Sequence, residues 1–102
     1  MTDAELRVLV RDCLTLWGVH GQVVAGEAGG VTVRTTDGAF TVQAAPPDLR
    51  PARWLLQTPA RAAARRPPRV APSIVAALSA LRNALGGDAG RVLKIGVGGT
   101  RP

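Results

Sequence analysis

Leu6, Leu9, Val10, Cys13, Leu14 and Trp17 recur three and four residues apart, with Arg7, Arg11, Asp12 and Thr15 between them. That spacing gathers the apolar side chains on one side of an α-helix. Thr2 and Glu5 form a capping box ahead of it, each side chain satisfying a free backbone donor. Gly18 supplies a left-handed stop. The pattern predicts a helix from about Asp3 to Trp17.

The period then changes to two. Asp37-Gly38 reads as a two-residue hairpin turn, whose twist matches the strands on either side. Folding about it pairs Thr35 with Phe40, Val33 with Val42 and Val31 with Ala44 on one face. Thr32, Arg34, Thr36, Thr41 and Gln43 fall on the other, and that sorting is what fixes register. An earlier strand, about Gln22 to Glu27, joins through Ala28-Gly29-Gly30. A three-stranded antiparallel meander is expected.

Seven of the eight prolines lie between Pro46 and Pro72. Each removes a backbone donor and fixes φ, so no long regular element can run through this stretch. Two short pieces fit inside it. Ala52 to Gln57 reads as either a strand or a helical turn. Thr58-Pro59 offers an N-cap and a first-turn proline for a short helix over Ala60 to Arg66.

Ile74, Ala77, Leu78, Leu81 and Leu85 mark a second helix, opened by Pro72 and Ser73 and ended by Gly86-Gly87. Val75, Ala76 and Ala80 make its other sides apolar too, so it is expected between the sheet and a partner subunit, in a homodimer. Arg91 to Val97 alternates and predicts a short C-terminal edge strand. Gly96 to Thr100 is glycine-rich, but no helix follows to complete an anion site, so a flexible tail over 98–102 is expected. The expected architecture is one α+β domain over 1–97, with 46–72 as a Pro/Arg-rich internal segment. Its expected core is Leu6, Leu9, Val10, Cys13, Leu14, Trp17, Val24, Val31, Val33, Phe40, Val42, Leu55, Ile74, Leu78, Leu81, Leu85, Leu93 and Ile95.

Composition supports a folded domain: 102 residues, 46% apolar, with a mean hydropathy of +0.13. The longest apolar stretch, Ile74 to Leu81, falls far short of the ~20 residues of a membrane span. Acids near the N-terminus argue against a signal peptide, and Cys13 is the single cysteine, so a cytoplasmic setting is expected.

Charge changes the picture most. Residues 1–48 carry six carboxylates against three arginines, a formal charge of −3. Residues 49–102 carry ten basic residues against Asp88 alone, a formal charge of +9. Arginine outnumbers lysine twelve to one, as GC-rich codons favour, but codon bias does not explain why acids avoid one contiguous stretch. Such a one-sided field attracts an anionic partner.

Arg50, Arg53, Arg61, Arg65, Arg66 and Arg69 are the candidate binding residues, with Trp54 as a candidate stacking platform. The plainer readings are a solvated connector for the arginines and a core anchor for Trp54. Cys13 on an apolar stripe and His20 at another level do not make a nucleophile and base. Asp3 and Glu5 belong to a helix start and Asp37 to a turn; Asp48 precedes the prolines, Glu27 fits a loop edge, and Ser73 and Ser79 lack a base. No catalytic, metal or cofactor site is expected.

Three functions are consistent with these residues. The first is a non-catalytic, homodimeric interaction module that presents the arginines to an acidic protein. The second is a nucleic-acid-binding protein using the same arginines on phosphates. The third is a small enzyme with a site between subunits, the least favoured because the acid, base and metal sets are missing.

Overall fold

The computed structural model describes the backbone of residues 1–98 and the side chains of residues 1–86. It is an α+β fold in the order α1 (Asp3–Trp17), β1 (Gln22–Ala25), β2 (Val31–Thr35), β3 (Gly38–Ala44), a 3₁₀ turn (Pro47–Leu49), β4 (Trp54–Gln57), α2 (Pro59–Ala63), β5 (Arg69–Ala71) and α3 (Ile74–Gly98). The strands form one antiparallel sheet in sequence order, a meander of five strands rather than three.

Local chemistry sets the boundaries of α1. Thr2 Oγ1 accepts from the Glu5 N–H at 3.1 Å, and the Thr2 N–H donates to Glu5 Oε1 at 2.8 Å. Gly18 ends the helix at φ 69°, where its N–H reaches back to the carbonyls of Leu14 and Thr15.

The β2–β3 hairpin turns two positions away from the expected register. The loop is Thr36-Asp37, Thr35 pairs with Gly38, and Val33 pairs with Phe40. Thr35 Oγ1 locks the turn, accepting from the Asp37 N–H at 3.1 Å and donating to the Gly38 carbonyl at 3.2 Å. Gly38 takes the positive φ, 126°, while the branched Thr36 and its neighbour Asp37 avoid it. A slip of two preserves the facing of every side chain, so the predicted separation into apolar and polar faces survives.

The Pro/Arg-rich segment is not a connector between elements. It supplies the 3₁₀ turn, β4, α2 and β5, each short enough to fit between prolines. β4 settles the ambiguity over Ala52 to Gln57 as a strand, paired with β3 through Val42 and Leu56. β5 went unanticipated because three residues between Pro68 and Pro72 carry too little periodicity to be read.

Two expectations at the other end of the chain are overturned. Gly86-Gly87 does not end the second helix, and Arg91 to Val97 is not a strand: α3 runs through both. Gly86 does not adopt the positive φ with which Gly18 terminates α1. Inside a helix, glycine costs only about 1 kcal/mol relative to alanine. A short alternating run is weak support for a strand when it also holds helix formers such as Leu93 and Lys94. Residues 99–102 of the expected tail, and the side chains of Leu93 and Ile95, lie outside the described residues.

The core lies between the sheet and the helices. Leu6, Val10 and Leu14 of α1 meet Val31, Val33, Phe40 and Val42 of the sheet, with Leu56 of β4 and Leu81 and Leu85 of α3. Two expected core positions are off by one residue. Val24 pairs with Thr32 on the far face, and Val23, paired with Val33, packs on the core instead. Leu55 likewise yields to Leu56, which is 2% exposed. In both runs two adjacent apolar residues compete, and strand alternation lets only one face the helices. No helix among the described residues is long and apolar enough to cross a membrane.

Candidate basic interface

β4 sorts the six candidate arginines into two groups. Arg50 and Arg53 precede it, in the loop from β3. Arg61, Arg65, Arg66 and Arg69 follow it, on α2, at its end and at the start of β5. Four strand residues, roughly 13 Å of chain, lie between Arg53 and the α2 cap. β5, however, runs back beside β4 and brings Arg69 opposite Leu56, two residues from Ala71, whose carbonyl bonds the Arg53 N–H. All but the half-buried Arg61 are exposed.

The second group is held by backbone chemistry. Thr58, itself nearly buried, caps α2 by accepting from the Arg61 N–H at 3.2 Å. The Arg61 guanidinium Nε donates to the Pro67 carbonyl at 3.0 Å, and Gln57 Nε2 donates to the Arg66 carbonyl at 3.1 Å. These bonds tie the turn after α2 back to β4. Arg65 ends the helix at φ 56°, a left-handed conformation ordinarily left to glycine. Among the described residues, no arginine side chain donates a hydrogen bond to a carboxylate.

The first group borders an open cleft of about 760 Å³ formed by the β3–β4 loop itself, walled by Pro46, Pro47 and Pro51. On the face of the sheet away from the helices, strand pairing lines up Thr32 with Thr41 and Thr41 with Gln57. Arg34, opposite Ala39, shares this face and borders a shallow hollow that also holds Glu27.

Aromatic side chains lie on the other side. Phe40 is buried, and Trp17 and Trp54 pack against the core. Trp54 pairs with Ala44 and with the buried Ala71, on the helix-facing side of the sheet. Arg69, paired with Leu56, shares that side with Trp54, whereas the cleft bordered by Arg50 and Arg53 has no aromatic residue in its lining on which a base could stack.

The remaining reactive groups do not converge. Partial burial, and then the Asp12 carboxylate, push the Cys13 thiol above its ordinary 9.0, so it is not a thiolate at neutral pH. Ser73 Oγ is occupied as an acceptor from the Ala76 N–H at 3.1 Å at the start of α3. His20 is exposed beyond the end of α1. Among the described residues, no group of three or more His, Cys, Asp or Glu side chains could hold a metal ion. No family model, curated protein or solved structure matches this chain.

Proposed function

We propose that this protein is a non-catalytic interaction module that presents its arginines to an acidic protein partner. One observation carries the reading: the arginines sit on folded, hydrogen-bonded elements, all but Arg61 exposed, and among the described residues none has a carboxylate hydrogen-bonded to its side chain. Arg65 adds to it. A left-handed backbone costs an arginine about 1–2 kcal/mol, which glycine would avoid. The chain retains a cation there. Guanidinium forks accept carboxylates in paired, charge-assisted bonds, so an acidic face offers the match these side chains lack.

Nucleic acid is the second reading, and the burial of the rings supports it less well. Sequence-tolerant binding of single strands draws on stacked aromatics, and all three aromatic residues here pack in or against the core. Self-association into a homodimer belongs to the proposal. Val8 and Leu16 on α1 and Val75 on α3 are more than half exposed and offer apolar area for it. Reversing the charge of both groups together, Arg50 and Arg53 with Arg65, Arg66 and Arg69, tests the proposal. Capture of an acidic peptide should be lost while the melting temperature holds. Capture undiminished in the variant would overturn it.

A further inference from the structure

We infer that the cleft before β4 is the anchor for an acidic peptide segment in which a hydrophobic residue stands beside the acid. The inference rests on the proposed role of the arginines and gives it a location. Arg50 and Arg53 line the cleft, and its walls are rings of Pro46, Pro47 and Pro51.

The loop around it is rigid for identifiable reasons. Leu49 N–H bonds the Pro46 carbonyl at 3.0 Å, Arg50 N–H that of Pro47 at 3.2 Å, and Ala52 N–H that of Leu49 at 2.9 Å. At the loop's ends, Ala45 N–H bonds the Arg53 carbonyl at 2.8 Å, and Arg53 N–H the Ala71 carbonyl at 2.9 Å. Those donors are engaged and the prolines have none, so the guanidinium groups are left to receive the ligand. Two cations three residues apart repel each other, and one oxyanion between them removes that cost. A loop already fixed loses little freedom on binding.

The second half of the motif comes from a neighbouring hollow that shares loop residues with the cleft. Leu49 and Val70, 41% and 53% exposed, border an apolar hollow of about 260 Å³. Pro51 and Ala52 line both this hollow and the arginine cleft. A free inorganic anion would use only the cleft. A peptide with an acid and an adjacent apolar side chain would use both, and charge complementarity selects the acid.

Fluorescence titration of the intact chain with a short peptide of alternating Glu and Leu tests this. Arg50→Ala with Arg53→Ala should weaken binding about tenfold or more, since charge-assisted bonds are lost. Arg50→Lys with Arg53→Lys should also weaken it, because charge remains but the paired donors do not. Leu49→Ser with Val70→Thr should weaken it several-fold at an unchanged melting temperature, which excludes unfolding as the cause. A Gln/Leu peptide should not bind. If Arg65→Ala with Arg66→Ala abolishes binding and the Arg50/Arg53 variants do not, the cleft is overturned and the broader function stands. If the wild-type chain ignores the Glu/Leu peptide, both fall. Inorganic phosphate binding as tightly as the peptide, or equal binding of the Gln/Leu peptide, also overturns the inference.

Discussion

The ring of Pro59 lies directly over Gly38: a Cβ built on Gly38 would stand 2.8 Å from the proline Cγ. The hairpin turn and the start of α2 are thereby pressed together. Gly38 also holds φ 126°, outside the comfortable range of any residue with a side chain. Gly38→Ala should therefore cost about 1–3 kcal/mol, combining strain with overpacking against a rigid ring. Chemical denaturation will show it. A neutral result would mean that α2 does not rest on the turn.

Leu55 and Leu56 differ by one position and should differ sharply in consequence. Leu56 is buried against Val42 and the helices, whereas Leu55 sits on the opposite face of β4. Leu56→Ala should cost about 2–5 kcal/mol through the cavity it leaves. Leu55→Ala should cost well under half of that. Equal losses would place the strand in the wrong register.

That pair also shows where the sequence stopped being legible. The α1 stripe, its capping box and Gly18 were readable because several independent signals coincided on one element. In the runs at Val23-Val24 and Leu55-Leu56 two apolar residues stand side by side, and only pairing with a neighbouring strand chooses between them. The long α3 was obscured because glycine stops one helix here and not another, depending on whether φ turns positive. The arginines were visible as a charge asymmetry, but their division by β4 was not, since it follows from strands too short to show a period. The Arg50/Arg53 cleft left no motif at all.

Arg61 and Arg65 should separate the structural arginines from the displayed ones. Arg61 donates to the Pro67 carbonyl and holds the turn after α2. Arg61→Ala should lower stability by about 0.5–1.5 kcal/mol, the worth of one such bond. Arg65→Gly should leave stability unchanged or raise it, since the left-handed backbone suits glycine. Binding to an acidic peptide should fall in the Arg65 variant despite its intact fold. A destabilised Arg65→Gly would make that residue structural.

The start of α1 carries the pH dependence. Bonding to the Thr2 backbone N–H, and then to its side chain, holds the Glu5 carboxyl below its ordinary 4.5. A carboxyl depressed by folding contributes stability above its unfolded pKa, and that contribution is lost as pH falls through the folded value. Thermal melts between about pH 6 and pH 3 should therefore show a loss below about pH 4.5 that Glu5→Gln reduces. Identical pH profiles would mean that the capping box does not form in solution.

An acidic-protein role for these arginines is tested most directly by one competition titration at about 0.15 M salt, where weak surface attraction is screened. The probes are an acidic peptide, a DNA duplex and a DNA single strand of matched charge. The acidic peptide should bind, and neither DNA should displace it at equal concentration. Displacement by DNA, with an affinity that collapses as salt rises, would contradict that role and make the arginines phosphate contacts.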